Sequence, residues 1–389
     1  MTDLQRGIIA LLKSAITELP QPLPDAFCID QALPLIQKHS ILTLAYDGAV
    51  RCGISKNEPA MKQMFLAYCK AILASEAQMR AVCRVCSTFD ENHIDYMLLK
   101  GSRLKRLYPK PELRLMGDAD ILIRPEQYSQ IKSLLPTLQF AEIQETDHEL
   151  IWRSDALLLE LHKRLIPSYN KDFYAYFGDG WNLAKLCSGT QYSMSLEDEW
   201  VYLFTHFTKH YRDGGIGCRH VTDLWIWRRT HQNMDESYIQ SAMKKLQLDI
   251  FYGHMLRLLD FWFGDGPSDD ILEHISAFVF TSGNWGSMDS NAASLGLRYN
   301  IHSGRSVRGK IRYILDNTFP CAALLKHKYP ILQKAPWLLP AVWLVRPFYK
   351  LIAERNTLIQ HTRNLNMMSR QNLVNRKKLL NYVGLDYHF

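Results

Sequence analysis

Two aspartates one residue apart constrain this chain more than any other feature. Asp118 and Asp120 lie in the run Gly117-Asp-Ala-Asp-Ile-Leu-Ile123, whose apolar residues are typical of a buried β-strand. Residues i and i+2 of a strand point to the same face, so the two carboxylates would project side by side. Burying like charges together is costly unless a positive charge lies between them. The pattern therefore predicts a divalent metal site, where Mg²⁺ would take phosphate oxygens as further ligands.

The segment before these aspartates has the features of a phosphate-binding turn. Residues 96–100 have the pattern of a short buried strand, and Gly101-Ser102 follows directly, ahead of a helical stretch at 103–107. Glycine lets the backbone approach a ligand closely, and the start of a helix presents free N–H groups to an anion. Lys100 and Arg114 are candidates for neutralising phosphate charge. These residues predict that a phosphate-bearing ligand lies beside the aspartates.

The order strand, Gly-Ser turn, helix and Asp-x-Asp strand resembles the DNA polymerase beta-like nucleotidyltransferase superfamily. In that superfamily the Gly-Ser turn holds the nucleotide triphosphate and the Asp-x-Asp pair holds metal ions. The fuller pattern adds Leu98-Leu-Lys-Gly-Ser102, Tyr108-Pro109 and Leu113-Arg114. It is similar to a branch of bacterial nucleotidyltransferases often encoded beside polysaccharide or peptide-modification genes. The resemblance is dense over about residues 95–165 and thinner over 195–230.

The resemblance also implies a third carboxylate on a later strand, and Glu160 in the apolar run 156–162 fits that position. Glu160 would help to bind metal and would accept the proton of the attacking hydroxyl. The implied reaction moves an NMP from an NTP, expected to be ATP, to a hydroxyl-bearing small molecule, saccharide or protein, and releases pyrophosphate. Mg²⁺ or Mn²⁺ is the implied cofactor. The catalytic and metal-binding residues would be Asp118, Asp120 and Glu160, and the nucleotide-binding residues would include Lys100, Gly101, Ser102 and Arg114.

Each motif alone also has an ordinary structural interpretation. Gly-Ser after a strand is a common turn, and Asp-x-Asp occurs on solvated edge strands. A Ca²⁺-binding loop is excluded because residues 121–123 are apolar where oxygen ligands would be needed. Two functional alternatives to the enzyme stay open. One is a catalytically inactive nucleotide-binding scaffold, and the other is a membrane-surface accessory protein of a biosynthetic pathway.

A pair of histidines forms a second polar cluster. His206 and His210 lie four residues apart in a helical pattern, so both lie on one helix face. The His-Glu-x-x-His pattern of zinc proteases is absent, because Phe207 follows His206. The ordinary interpretation is a pair of core histidines with satisfied hydrogen bonds. The functional interpretation, which the resemblance supports, is that this helix closes the nucleotide site and that His206 and His210 contact the nucleotide or the acceptor.

Composition and element pattern predict an α+β fold. The 389 residues, 47% hydrophobic and 22% charged, suffice for more than one folded domain. We expect a small mixed-sheet nucleotidyltransferase core flanked by N-terminal and C-terminal helical regions. The core should contain a helix at 125–138 and strands near 140–145, 148–153 and 156–162. The predicted boundaries are an N-terminal helical region at 1–94, a catalytic core at 95–190, a helical domain closing the cleft at 191–300 and a basic helical C-terminal region at 301–389.

The net charge of +7 is unevenly distributed, because residues 301–389 hold 15 Lys and Arg against 3 Asp and Glu. The run 335–349 contains Trp337 and Trp343 and is shorter than the roughly 20 residues of a membrane span. It predicts either a helix hairpin packed on the core or a peripheral contact with a membrane interface. No nucleic-acid-binding motif accompanies the charge, so nucleic acid is not an expected partner. The segment 363–378 is expected to be loosely held.

Two features predict a cytoplasmic location. The first residues lack the basic and apolar regions of a secretory signal. The eight scattered cysteines show no pairing pattern, as expected for thiols in a reducing compartment.

Overall fold

The computed structural model describes residues 1–284, 286, 288–299, 306–320, 322–325, 329–353 and 370–386. Four helices precede the sheet. The side chain of Thr2 accepts a hydrogen bond from the backbone N–H of Gln5 and so caps the first helix. Pro59 occupies the first turn of the fourth helix, where its missing N–H has no cost. The helices are α1 (Asp3–Thr17), α2 (Ile29–Lys38), α3 (Leu42–Arg51) and α4 (Pro59–Glu91).

A mixed seven-stranded sheet follows, with the strand order β3-β4-β5-β2-β1-β7-β6. The pairs β2–β5 and β1–β7 are parallel and the other pairs are antiparallel. The strands are β1 (Tyr96–Leu98), β2 (Asp118–Ile123), β3 (Ala141–Glu145), β4 (Glu149–Arg153), β5 (Leu158–His162), β6 (Lys185–Ser188) and β7 (Gln191–Ser193). Three short helices lie between them, namely α5 (Lys100–Leu104), α6 (Tyr128–Leu134) and α7 (Lys171–Phe177).

The two faces of the sheet have different roles because side chains alternate along each strand. Ala119, Ile121 and Ile123 of β2 pack with Leu159 and Leu161 of β5 in a core formed with the second half of α4 and with α6. The intervening positions of β2 and β5 point to the opposite face. The aspartates and Glu160 therefore lie on the face turned away from this core.

Five helices come after the sheet and pack with the N-terminal helices in one large hydrophobic cluster. Ser195 caps the first of them by accepting a hydrogen bond from the N–H of Asp198. These helices are α8 (Leu196–Asp213), α9 (Cys218–Thr230), α10 (Glu236–Lys245), α11 (Asp249–Phe263) and α12 (Asp270–Ser282).

The C-terminal region is helical, as its sequence predicts. Helix α13 (Met288–Arg298) comes just before this region. The helices described within it are α14 (Ser306–Thr318), α15 (Ala322–Leu325), α16 (Ile331–Lys334), α17 (Leu339–Ala353) and α18 (Arg370–Tyr382). The helices that the structure describes include none with the length and apolar character that a bilayer crossing requires.

The expectation of a loosely held segment at 363–378 is wrong for its second part. Leu373 and Leu380 of α18 are buried in the large hydrophobic cluster. Arg376 is also buried, and its guanidinium donates to the backbone carbonyl of Arg212. The sequence misled because its few apolar residues are spaced to cover one helix face, which suffices for packing. Residues 363–369 lie outside the described residues.

The α+β fold class is confirmed. The helix expected at 125–138 is α6 with a 3-10 turn at each end, Pro125–Gln127 and Leu135–Leu138. The three strands expected near 140–162 appear as β3, β4 and β5 within two residues of their predicted bounds. The sequence did not predict strands β6 and β7. The strand expected at 96–100 ends earlier, since β1 stops at Leu98 and Lys100 already begins α5.

Candidate active site

A cavity of about 870 Å³ opens against the carboxylate-bearing face of the sheet. Strands β2, β4 and β5 form one wall, and helices α8 and α9 contribute the opposite one. Every site residue predicted from the sequence lines this cavity except Ser102. A concave space of this size is typical of sites that hold small molecules.

The parallel pairing of β2 with β5 brings the predicted acids together. Asp120 is the direct cross-strand partner of Glu160, and Asp118 lies two positions earlier on the same face. The carboxylates of Asp120 and Glu160 and the ring of His162 can place ligand atoms within 4.8 Å of one another. The sheet thus presents three acids and a histidine to one side of the cavity.

The three acids carry more negative charge than their surroundings offset. Burial and then the charges of Asp120 and Asp118 raise the pKa of Glu160 to about 8. Burial and Asp120 also raise the pKa of Asp118. Within the described part of the chain, the Asp118 carboxylate makes no hydrogen bond or ion pair. An additional positive charge would therefore stabilise this cluster.

Asp120 differs from its neighbours because two groups contact its Oδ1 atom. Lys100 Nζ lies 3.1 Å away and His162 Nε2 lies 2.7 Å away. Burial alone would raise the pKa of Asp120, but Lys100 and His162 outweigh it and lower that pKa well below its usual range. Lys100 reaches this position with a φ of 31°, a strained conformation for a residue with a side chain. Such strain is often found at functional sites.

Sequence reasoning missed the histidine that holds Asp120. His162 lies two residues after Glu160, and the period of two places both on one strand face. The apolar run of β5 concealed this signal, because Leu157, Leu159 and Leu161 fill the opposite face. His162 Nδ1 in turn lies 3.2 Å from Nε2 of His148, which also lines the cavity.

Arg114 lies at the cavity, but its charge is already neutralised. Its Nε and Nη2 atoms donate to both carboxylate oxygens of Asp223, at 2.8 and 3.0 Å. Tyr108 donates to the same carboxylate at 2.7 Å. The Arg114–Asp223 pair therefore ties the loop before β2 to helix α9.

Arg219 also lines the cavity, and its charge is not compensated by an ion pair with the described residues. Its Nη1 donates to the carbonyl of Leu115 at 3.0 Å, and its buried Nε has no hydrogen-bond partner among the residues that the structure describes. No carboxylate of the described residues lies within 4.0 Å of its guanidinium. Burial and then the neighbouring Arg114 lower the pKa of Arg219, so an anion in the cavity would relieve an unfavourable charge.

The two residues of the Gly-Ser turn lie in different environments. Gly101 lines the cavity, whereas Ser102 is buried and its hydroxyl donates to the carbonyl of Leu99 at 3.2 Å. In this structure the Ser102 hydroxyl therefore stabilises the turn between β1 and α5.

His206 and His210 share one face of α8, as their spacing predicts. Their Nε2 atoms lie 3.2 Å apart at the cavity. Burial and neighbouring positive charges, above all Lys100 for His206 and Lys209 for His210, lower the pKa of both well below the usual value. Both rings are thus neutral at pH 7 and can offer hydrogen bonds but no charge.

The acidic face fits a divalent cation. Carboxylate oxygens are the ligands that Mg²⁺ and Mn²⁺ prefer. Asp118 and Glu160 are half-buried acids whose pKa values are raised first by burial and then by the neighbouring carboxylates. Lys100 and His162 both contact one oxygen of Asp120, Oδ1, and the second oxygen is free of these contacts.

Comparison with known protein families matches residues 25–264 to a family described as "Uncharacterised nucleotidyltransferase". The match covers more than half of the chain, and the protein belongs to this family. It includes the sheet, helices α8 and α9 and all of the cavity lining except Asn284. Searches of curated proteins and of solved structures found no match.

Proposed function

We propose that this protein transfers an NMP from an NTP, with ATP as the expected donor, to a hydroxyl-bearing acceptor and releases pyrophosphate. The observation that carries this proposal is the parallel pairing of β2 with β5, which puts Asp118, Asp120 and Glu160 on one face of the sheet beside the cavity. This order of turn, helix and acidic strands supports a place in the polymerase beta-like superfamily. The acceptor would be a small molecule, a saccharide or a protein.

Asp118, Asp120 and Glu160 would hold Mg²⁺ or Mn²⁺. The bound cation would polarise the α-phosphate and stabilise the leaving pyrophosphate. Asp120 is kept ionised by Lys100 and oriented by His162. Asp118 supplies a carboxylate that no described residue engages in a hydrogen bond or ion pair, which leaves it available to a cation.

Glu160 is the residue best suited to take a proton from the acceptor hydroxyl. A pKa raised to about 8 by burial makes its carboxylate a stronger base than an exposed glutamate. It lies half-buried on the cavity wall, opposite Asp120. A base in this position could act on a hydroxyl that enters the cavity.

The nucleotide triphosphate would be bound by the cations and donors around the cavity. Lys100 and Gly101 lie at the start of α5, and Arg219 presents a guanidinium that forms no ion pair within the described ranges. His206 and His210 would contribute neutral hydrogen-bonding groups to the nucleotide or the acceptor. Arg114 would position the strand that carries the aspartates through its ion pair with Asp223. Ser102 would stabilise the turn that orients Lys100 and Gly101.

The test is an incorporation assay with α-labelled NTPs and Mg²⁺, applied to protein, saccharide and small-molecule fractions of a cell lysate. Label transfer with matching pyrophosphate release is expected from the wild type and should be lost in Asp118→Asn. Asp155→Asn, at the exposed tip between β4 and β5, is the matched control and should retain transfer. NTP binding without pyrophosphate release in any fraction would favour the inactive scaffold.

The membrane-surface alternative rests on a different observation. Trp337 and Leu344, within the basic C-terminal region, are 76% and 74% exposed, and aromatic and apolar side chains beside basic ones suit a membrane interface. Sedimentation with anionic vesicles, compared between the wild type and Trp337→Ser, tests this contact. We propose a cytoplasmic location, and we retain the division at residues 94, 190 and 300 as a proposal.

A further inference from the structure

Three residues beside the acidic face have the composition of a zinc site. His148 precedes β4, Glu149 begins it, and His162 ends β5 as the cross-strand partner of Glu149. Each can place one ligand atom within 4.8 Å of the others. All three residues line the cavity. Two histidines and one glutamate are a protein ligand set found in catalytic zinc sites.

The spacing of the two rings suits a shared ion. His148 Nε2 and His162 Nδ1 lie 3.2 Å apart, close to the roughly 3.3 Å that separates two nitrogens bound tetrahedrally at 2.0–2.1 Å. The Oε2 atom of Glu149 lies 3.7 Å from His162 Nδ1. Without a metal the two nitrogens share a single proton in one hydrogen bond.

Asp120 fixes His162 in the form that can bind metal through Nδ1. The ionised Asp120 carboxylate only accepts hydrogen bonds, so the 2.7 Å contact places the proton on His162 Nε2. The lone pair of His162 then lies on Nδ1, towards His148. A histidine that donates its second ring N–H to a carboxylate is the usual arrangement around protein-bound metals.

Glu149 differs from the neighbouring acids of its segment because no described lysine or arginine pairs with it. Glu145 pairs with Lys132 and Lys163, and Asp147 pairs with Arg164. Among the described residues, no lysine or arginine lies within 4.0 Å of the Glu149 carboxylate, and the His162 ring is its neighbour at 3.7 Å. The Glu149 carboxylate therefore lies near the rings of His148 and His162. The neighbouring acids Glu145 and Asp147 pair with lysine or arginine instead.

We infer that His148, Glu149 and His162 form a binding site for Zn²⁺, separate from the carboxylate site of Asp118, Asp120 and Glu160. A four-coordinate ion with three protein ligands keeps one position for water or an anionic ligand. Because its protein ligands line the cavity, that position would be accessible from the cavity. The inference does not depend on nucleotide transfer.

The test is a titration of the purified full-length chain, freed of metal, with Co²⁺ in excess Mg²⁺. Cobalt in a four-coordinate nitrogen and oxygen site absorbs visible light intensely, whereas six-coordinate cobalt on carboxylates absorbs weakly. We expect one equivalent of intensely absorbing Co²⁺, displaced by Zn²⁺. His148→Gln and Glu149→Gln should each abolish the intense band and weaken Zn²⁺ binding more than about tenfold.

Two variants serve as controls. His254→Gln changes a histidine on α11 that does not line the cavity, and it should retain the spectrum. Asp118→Asn should lose nucleotide transfer but keep the intense band, which separates the zinc site from the proposed reaction. Thermal unfolding of every variant confirms that the chain is folded. A wild type without the intense band, or folded His148 and Glu149 variants that keep it, would overturn the inference.

Discussion

Asp120 Oδ1 lies 2.7 Å from Nε2 of His162, across the parallel pair β2–β5. Lys100 Nζ donates a hydrogen bond to the same oxygen at 3.1 Å. Asp120 is therefore held in place and kept ionised, whereas Asp118 on the same strand face has no such partner. Two aspartates that look equivalent in the sequence consequently have different structural roles.

The first prediction concerns the stability of the two aspartate variants. Asp118→Asn should change the free energy of unfolding by less than about 1 kcal/mol, since it removes a charge that repels Asp120. Asp120→Asn should lower it by about 3 kcal/mol, because the buried Lys100 loses its counter-ion. Urea unfolding of both variants without metal measures the difference. Equal losses would contradict the unequal roles assigned here.

A second prediction separates chemistry from binding at Glu160. Glu160→Gln keeps the shape of the side chain and removes the base, so the turnover number should fall by about 10²–10⁴. NTP affinity, measured by calorimetry with Mg²⁺, should change much less. Pyrophosphate release measures turnover, with hydrolysis by water as a proxy until the acceptor is found. Full activity of Glu160→Gln would show that Glu160 does not serve as the base.

The third prediction tests Arg219 as the cation that receives the triphosphate. Arg219→Gln should weaken NTP binding by about 10- to 100-fold, the effect of losing a hydrogen bond to a charged group. Arg153 is the exposed last residue of β4, so Arg153→Gln is the matched control and should bind NTP as the wild type does. Unchanged NTP affinity in Arg219→Gln would place the triphosphate elsewhere.

A fourth prediction concerns the C-terminal helix. Arg376→Met keeps an unbranched apolar stem but removes the donors to the carbonyls of Tyr211 and Arg212. The free energy of unfolding should fall by about 1–3 kcal/mol. The exposed Lys378 provides the comparison, and Lys378→Met should stay within about 0.5 kcal/mol of the wild type. Denaturant unfolding measures both variants. Equal free energies of unfolding would show that the hydrogen bonds of Arg376 do not stabilise the fold.

The fifth prediction concerns acid sensitivity. Burial lowers the pKa of His39 to about 4 from an ordinary value of 6.5. Between these pH values the unfolded chain binds a proton at His39 that the folded chain does not. This contribution to stability is present above pH 6.5 and is lost as the pH falls towards 4. The slope of unfolding free energy against pH gives the number of protons taken up on unfolding. In His39→Gln this number should be lower by up to one. An unchanged slope, from urea unfolding at several pH values between 4.5 and 7, would contradict the assignment.

Residues close in the sequence were enough to predict much of the fold. The spacing of apolar residues determined α6 and the strands β3, β4 and β5, because these patterns depend only on local geometry. The pair Asp118 and Asp120 was likewise identifiable, since two acids in an apolar strand require a compensating charge. Strands β6 and β7 escaped prediction because they are short and lack buried residues.

The tertiary structure decided which of these residues act together. Only the parallel register of β2 with β5 sets Glu160 opposite Asp120 and brings His162 to the same carboxylate. Only packing shows that Arg114 is neutralised by Asp223, a residue more than a hundred positions away. The sequence by itself determined the types of side chain and the faces they occupy. Their charge state and partners depend on contacts between distant segments, which local patterns do not specify.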